Sequence, residues 1–153
     1  MIDRGICVVT HPLSSSGENA TRTLLDILTA IGPICLVTAN LPEDSTIWDD
    51  HTVVELTPKG TGNSVFVAAF RFVLNQIRMC LAIRRRSDEI ILFFGATSYL
   101  LPILFARLIG KTVLVEPRGD VPLTLRLKWE QRMPDSLAHV LAGFVRSLER
   151  IGF

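Results

Sequence analysis

The sequence predicts an α/β domain of the Rossmann-like kind, with a parallel sheet of about five strands and helices on both faces. Short, strongly apolar runs alternate along the chain with longer segments of helical periodicity. The apolar runs do not alternate with polar residues, as expected of strands that are buried on both faces. The 153 residues suit a single domain, and 48% hydrophobic against 20% charged residues supply a core and exclude disorder.

The first half of the chain contributes three of the predicted strands, two of them rich in β-branched residues. They are predicted at 6–10, 34–38 and 52–56. A helix is predicted over 17–31 from its apolar spacing, and the Gly32-Pro33 pair ends it. The polar segment 39–51 is predicted to be a loop.

The second half contributes two further strands, at 89–94 and 112–116. A long helix is predicted from Asn63 or Ser64 to Arg86, and its broad apolar stripe indicates core or interface. A helix opened by Thr97 or Ser98 should run to Leu108. A last helix should be capped by Asp135 or Ser136.

One uncharged stretch, 90–106, approaches the length of a membrane span. It contains a glycine and a proline, Gly95 and Pro102, as well as several small polar residues. We therefore interpret it as a buried strand, a tight turn and a helix.

Charge and cysteine content exclude several classes of protein. The net charge of +1 argues against a dedicated nucleic-acid binder. The cysteines Cys7, Cys35 and Cys80 are odd in number and form no C-x-x-C pair, so neither a disulfide framework nor a zinc site is predicted. Buried, reduced thiols in a cytoplasmic protein are the simplest interpretation.

Several well-known site motifs do not occur in the sequence. No G-x-G-x-x-G follows the first strand, and no G-x-x-x-x-G-K-[ST] occurs, so dinucleotide oxidoreductases and P-loop nucleotidases are disfavoured. No G-x-S-x-G elbow occurs either, which argues against a serine hydrolase.

Three loops should share the carboxyl edge of the predicted sheet, where open α/β sheets bind ligands. In the first, Ser16 and Gly17 precede a helix whose free N–H groups attract anions such as phosphate. The alternative is an ordinary cap, with Ser16 at the N-cap and Glu18 in the first turn. His11 is a candidate base, or a histidine that only satisfies local hydrogen bonds.

The second loop, 95–98, lines a site or forms a capped tight turn. In the third, Arg118 can clamp a phosphate or carboxylate, and Asp120 or Glu116 can orient a sugar hydroxyl or act as a base. The alternative there is a surface ion pair. The candidate catalytic residues are His11 and Asp120, and the candidate substrate-binding residues are Ser16, Gly17, Gly95, Thr97, Ser98, Glu116 and Arg118.

The chain resembles the N-terminal domain of glycosyltransferase family 4 enzymes of the GT-B fold, particularly archaeal members. The similarity runs over nearly the whole chain in diffuse motifs. They are VVTHP at 8–12 with Ser16-Gly17, ICLVTAN at 34–40, NQIR at 75–78, FFG at 93–95, LPIL at 101–104, LIGK at 108–111 and EPRGD at 116–120.

The resemblance implies one half of a two-domain enzyme that transfers a sugar from a nucleotide-sugar donor, usually without a metal. Ser16 and Gly17 match the glycine-containing loop near the donor diphosphate, with one glycine where many members have two. The loops 95–98 and 118–120 match those that line the cleft. Gly95 stands where many members have a histidine.

In that family the N-terminal domain usually holds the acceptor, which can be lipid-linked or a glycan, and a C-terminal domain binds the donor. Residues 1–153 correspond to the first domain only, so we expect a separate or missing donor-binding partner and no transfer by this chain alone. No cofactor, metal or nucleic acid is expected. The reduced cysteines indicate a cytoplasmic location, and peripheral contact at the inner face of the membrane is left as an open alternative.

Two alternatives of other classes stay open. One is a non-catalytic nucleotide- or anion-binding module that uses the helix start at Ser16-Gly17. The other is a membrane-surface or interaction domain that uses the long apolar helix and the basic, tryptophan-containing stretch 126–132.

Overall fold

The computed structural model describes residues 5–11, 13, 15–56, 65–95 and 99–117, and parts of the last segment at 135–136, 139–140, 143 and 146–147. Its strands are β1 (Ile6–Thr10), β2 (Ile34–Thr38), β3 (Thr52–Glu55), β4 (Ile90–Phe94) and β5 (Thr112–Glu116). Its helices are α1 (Ser15–Thr29), α2 (Ile47–Asp50), α3 (Val65–Arg85) and α4 (Leu100–Leu108).

The five strands form one parallel sheet in the order β3-β2-β1-β4-β5. This is the predicted Rossmann-like arrangement, and all five predicted strands are confirmed to within a residue at each end. The stretch 90–106 is confirmed as a strand followed by a turn into a helix. No helix in the described part of the chain is both long and apolar enough to cross a membrane.

The sheet is buried between two apolar layers, because successive side chains of a strand point to opposite faces. One layer joins α3 and α4 to the sheet through residues such as Cys7, Val9 and Phe93. The other joins α1 and α2 through residues such as Val8 and Leu36. The central strand β1 is buried throughout, which explains its unbroken apolar sequence.

Three details of the predicted helices are corrected. Helix α1 begins at Ser15, so Ser16 lies in the first turn and is not the N-cap, whereas Glu18 lies in the first turn as predicted. Helix α4 begins at Leu100 rather than at Thr97 or Ser98. Pro102 explains this start, because a proline has no N–H to donate and fits the first turn of a helix.

The third correction is the short helix α2, which lies inside a segment predicted to be a loop. Its Ile47 side chain is fully buried, and the Ile47 N–H donates to the Ser45 hydroxyl over 3.3 Å. A single buried side chain is too short a pattern to reveal a helix from periodicity.

The amino edge of the sheet is held together by charged side chains. Arg86 and Asp88 form an ion pair in which the carboxylate is almost fully buried. The Lys111 ammonium donates to the Asp88 carbonyl over 2.6 Å and to the Arg86 carbonyl over 3.2 Å. These bonds lie at the edge opposite the candidate site and serve the fold.

Candidate functional site

The candidate site lies where the strand order reverses, between β1 and β4. The chain proceeds from β1 to β2 and β3 on one side and then crosses to β4 on the other. Thr10 and Phe94 are paired in register, so the loops that follow β1 and β4 leave the sheet side by side. Ligands of open α/β sheets bind in the crevice that such a reversal creates.

His11 directly follows β1 and is held at this crevice from two sides. Its carbonyl accepts a hydrogen bond from the Thr38 hydroxyl over 2.9 Å, which ties the loop to the end of β2. Its imidazole lies 4.7 Å from the Tyr99 ring, centroid to centroid, with 41° between the planes. The ring is thus fixed in place before any ligand arrives.

Burial lowers the pKa of His11, because the protein interior disfavours the charged imidazolium. A hydrogen bond with the Gly95 backbone acts in the opposite direction and is the weaker effect. A histidine with a lowered pKa is neutral near pH 7. One of its ring nitrogens then donates and the other accepts, so it can receive a proton from a hydroxyl group.

Tyr99 forms the wall behind His11. It is 2% exposed, and it stacks on Phe72 with 5.3 Å between ring centroids and 22° between planes. Burial raises the pKa of its phenol, so the side chain stays neutral. Phe72 belongs to α3 and Tyr99 precedes α4, so the wall is part of the packing between these two helices.

Gly95 ends β4 and connects the site to β5. Its N–H donates to the Glu116 carbonyl over 2.8 Å. Its φ of 66° lies in the left-handed region, which a glycine adopts without strain. His11, Gly95 and Glu116 therefore lie along one edge of the sheet, as predicted.

Gly17 lies in the first turn of α1, on the other face of the sheet from Tyr99. Its carbonyl accepts a hydrogen bond from the Thr21 hydroxyl over 2.9 Å, within the helix. Nearby, Thr10 ends β1 on the α1 side of the sheet, following the alternation set by Ile6 and Val8. Ser16 is in the same first turn as Gly17.

The Thr10 side chain is an unusual member of this edge. The residue is 1% exposed, and its hydroxyl has no hydrogen-bond partner among the residues that the structure describes. Buried polar groups are nearly always paired, so an unpaired hydroxyl at a ligand-binding edge invites a functional explanation.

At the start of α4, a side chain of the protein already accepts a hydrogen bond from a backbone N–H group. The Leu101 N–H donates to the Gln76 side-chain oxygen of α3 over 3.2 Å. This bond satisfies one of the free N–H groups that a ligand would otherwise use. The Leu101 N–H is therefore already bonded within the protein.

Four of the predicted site residues lie outside the described residues. They are Thr97, Ser98, Arg118 and Asp120. The basic stretch 126–132 lies outside them as well. Among the residues that are described, no group of three or more His, Cys, Asp or Glu side chains could hold a metal ion.

Sequence reasoning missed Tyr99 and Thr10 as members of the site. Tyr99 is the only tyrosine in the chain, and it directly follows a loop that was predicted to bind substrate. That position could have indicated an aromatic wall. For Thr10 no signal was available, because an unpaired hydroxyl is visible only in three dimensions.

No protein-family model matches the chain, and no curated protein matches it. Among solved structures, two crystal structures of the C-terminal domain of a hydrogenase from Pyrococcus furiosus are similar to it. The first has a TM-score of 0.57 at 11% identity, over 74% of this chain and 91% of that one. The second has a TM-score of 0.54 at 10% identity, over 76% and 95%.

The glycotransferase of kitacinnamycin is also similar, with a TM-score of 0.51 at 10% identity. The similarity covers 90% of this chain and 38% of that one. At these identities the likeness shows the fold alone, and one fold hosts many functions. The chain is a Rossmann-like α/β domain, and a glycosyltransferase is among its structural neighbours.

Proposed function

We propose that this chain is the acceptor-side domain of a glycosyltransferase of the GT-B fold, of the family 4 type. One observation carries the proposal. Where the strand order reverses, His11 is a neutral imidazole that packs against the Tyr99 ring. The fold similarity to a glycotransferase supports it, as does the resemblance of the sequence motifs.

In this proposal His11 acts on the hydroxyl group that receives the sugar. The acceptor oxygen forms a bond to the anomeric carbon of the donor, and the bond from that carbon to the diphosphate breaks. The acceptor proton passes to the free imidazole nitrogen, and the nucleoside diphosphate leaves with the electron pair. Asp120 is a second candidate for the base, and Arg118 is a candidate for contact with the phosphate or a carboxylate.

The donor nucleotide is assigned to a second domain, which is a separate or following polypeptide segment. The proposal therefore expects little affinity for nucleotide sugars in this chain alone and measurable affinity for a hydroxyl-rich acceptor. It also expects no sugar transfer by the isolated chain.

The test is a nuclear magnetic resonance titration of the isolated chain with a neutral disaccharide and, separately, with UDP-glucose and GDP-mannose. The disaccharide should shift the signals of His11, Gly95 and Tyr99. His11→Gln should weaken that binding about tenfold, because one good hydrogen bond is removed. The matched control is His139→Gln, which changes an exposed histidine of the last segment and should leave binding unchanged.

Two outcomes would overturn the proposal. One is tight binding of a nucleotide sugar by the isolated chain, which would mean that donor binding needs no second domain. The other is a disaccharide that shifts none of the three signals, or that shifts the Gly95 and Tyr99 signals equally in the parent and in His11→Gln.

The Thr10 hydroxyl, which has no partner among the described residues, favours a second candidate function, an anion-binding module at the start of α1. It lies on the same face as α1 and would be satisfied by a ligand oxygen, while the helix start attracts negative charge. Inorganic phosphate and ADP are the probes. Binding that is lost in Thr10→Val but kept in His11→Gln would support this candidate over the first.

A further inference from the structure

Helices α3 and α4 present an apolar outer surface that the rest of the described fold leaves uncovered. In α3 the exposed residues recur at helical spacing and include Phe70, which is 69% exposed. In α4 they include Leu108, which is 84% exposed. Apart from Phe72, which stacks on Tyr99, the large apolar residues exposed on these helices are Val67, Phe70, Val73, Ile77 and Leu81 of α3 and Leu101, Leu104 and Leu108 of α4. Single exposed leucines need no explanation, but two adjacent stripes indicate a binding surface.

The two stripes meet in a groove of about 760 Å³ between the helices. Ile77, Leu81, Leu101 and Leu104 are among its lining residues, and Arg84 and Arg107 also line it. Both arginines are exposed and lie in the last turn of their helices. The groove is thus apolar along its length and carries positive charge at one end.

The charge on this face has one sign only. Every charged residue within α3 and α4 is an arginine, and neither helix contains a carboxylate. They are Arg71, Arg78, Arg84, Arg85 and Arg107. Arg78 donates a hydrogen bond to the Leu56 carbonyl after β3 over 2.8 Å, whereas Arg84 and Arg107 line the groove. A net charge of +1 for the whole chain shows that this excess of positive charge is local.

The opposite face of the sheet has the reverse character. Within α1 and α2 there are four carboxylates, Glu18, Asp26, Asp49 and Asp50, against a single arginine, Arg22. Among the helices α1 to α4, charge is therefore divided between the two faces of the sheet. The exposed apolar stripes and the arginines coincide on one side, and the carboxylates occupy the other.

We infer that the α3–α4 face, meaning the exposed apolar stripes named above together with Arg84 and Arg107, docks on an anionic lipid surface. Apolar side chains on an exposed helix face enter the boundary between headgroups and acyl chains, and arginines beside them attract lipid phosphates. A second copy of this chain is a poorer occupant, because neither α3 nor α4 contains a carboxylate that could pair with the arginines of the other copy. The inference does not depend on the proposed sugar transfer, since none of these residues belongs to the candidate site.

The contact would be peripheral. No described helix is long and apolar enough to cross a bilayer, so α3 and α4 would lie along the surface. The acidic face formed by α1 and α2 would then point away from the anionic lipid.

The experiment is sedimentation of the chain with vesicles of phosphatidylcholine, alone or mixed in equal parts with phosphatidylglycerol. Binding is expected with the mixed vesicles, weakly or not at all with phosphatidylcholine alone, and it should weaken as salt is added. The variant Leu104→Ser/Leu108→Ser should lower the partition coefficient about tenfold or more. Its control is Ile27→Ser, an exposed isoleucine of α1, which should bind like the parent.

The arginines are tested in the same way. Arg84→Gln and Arg107→Gln should each lower the partition coefficient about fivefold, while the control Arg22→Gln in α1 leaves it unchanged. Thermal unfolding of each variant checks that the fold is intact, which is expected because all these side chains are exposed.

Three outcomes would overturn the inference. They are equal binding to both kinds of vesicle, a loss of binding in the α1 control variants equal to that in the α3–α4 variants, and no vesicle binding at all. If the chain binds no vesicles but forms a dimer that Leu104→Ser/Leu108→Ser disrupts, then the face is a contact between copies and not a membrane surface.

Discussion

Phe72 and Tyr99 stack with 5.3 Å between ring centroids, and this contact links the packing of two helices to the candidate site. The same Tyr99 ring lies 4.7 Å from the His11 ring, centroid to centroid. The side chain that lowers solvent access at the histidine is therefore also a core residue. Stability and the protonation of His11 should change together when Tyr99 is altered.

The first prediction concerns this ring. Tyr99→Ala should lower the free energy of unfolding by about 3–5 kcal/mol, as for other buried aromatic residues. It should also raise the pKa of His11 toward its ordinary value, because water reaches the imidazole. Denaturant unfolding and the pH dependence of the His11 ring signals measure the two effects. Phe70→Ala is the control, since Phe70 is largely exposed, and it should do neither.

The second prediction is a dependence of stability on pH. Burial lowers the pKa of His11 in the folded chain, whereas in the unfolded chain it should lie near the ordinary value of about 6.5. Between the two values the unfolded state binds more protons. Stability should therefore fall as the pH drops below about 6.5, and the fall should level off below the folded pKa.

Unfolding by urea at a series of pH values, with the parent and His11→Gln compared, isolates this contribution from that of the carboxylates. The difference in free energy of unfolding between the parent and His11→Gln should change with pH in that window. Parallel curves would mean that His11 is not buried as a neutral ring.

The third prediction compares two buried threonines that differ in their hydrogen bonds. The Thr38 hydroxyl donates to the His11 carbonyl over 2.9 Å, whereas the Thr10 hydroxyl has no partner in the described part of the chain. Thr38→Val should cost about 1–3 kcal/mol, because a buried acceptor loses its donor. Thr10→Val should be neutral or stabilising by up to about 1–2 kcal/mol. Equal losses in the two variants would mean that Thr10 has a partner.

The strands could be predicted because strands buried on both faces of a parallel sheet appear in the sequence as short, uninterrupted apolar runs. Val8 and Leu36 sit in runs that are apolar on both faces, and such runs leave little choice of structure. The order of the strands in the sheet decides which loops lie next to each other, and it therefore locates the candidate site. The predicted loops after β1, β4 and β5 do leave from one edge.

The outer face of α3 could not be predicted in the same way. Phe70 and Ile77 look like core residues in the sequence, because periodicity reveals a stripe but not its partner. In the structure α3 buries Asn75, Met79, Cys80 and Ile83, whereas Phe70 and Ile77 are 69% and 46% exposed. Three consecutive arginines occupy positions 84–86, and in the structure Arg84 and Arg85 are exposed while Arg86 forms the ion pair with Asp88.

The fourth prediction concerns the cysteines. Cys7 and Cys35 are opposite each other on β1 and β2, and both are fully buried. Burial raises the pKa of both thiols and of Cys80, so the reactive thiolate is scarce in the folded chain. A thiol reagent at pH 8 should label the native protein slowly and the urea-unfolded protein at all three cysteines. Rapid native labelling would contradict the burial.

The last prediction uses two glycines that differ in backbone conformation but not in the space around them. Gly110 follows α4 with a φ of 78°, and Gly143 is helical. A Cβ atom added at either position would meet nothing within 4 Å. Steric clashes are therefore excluded, and only the backbone decides the effect of a substitution.

Gly110→Ala should lower the free energy of unfolding by about 1–2 kcal/mol, the cost of holding an L-residue in the left-handed region. Gly143→Ala should raise it by about 0.4–1 kcal/mol if its helix unfolds with the rest of the chain, because alanine loses less entropy there. Denaturant unfolding of both variants gives the two values. A loss in Gly143→Ala would mean that a neighbour occupies this face of the last helix, and no loss in Gly110→Ala would mean that α4 does not end in a left-handed residue.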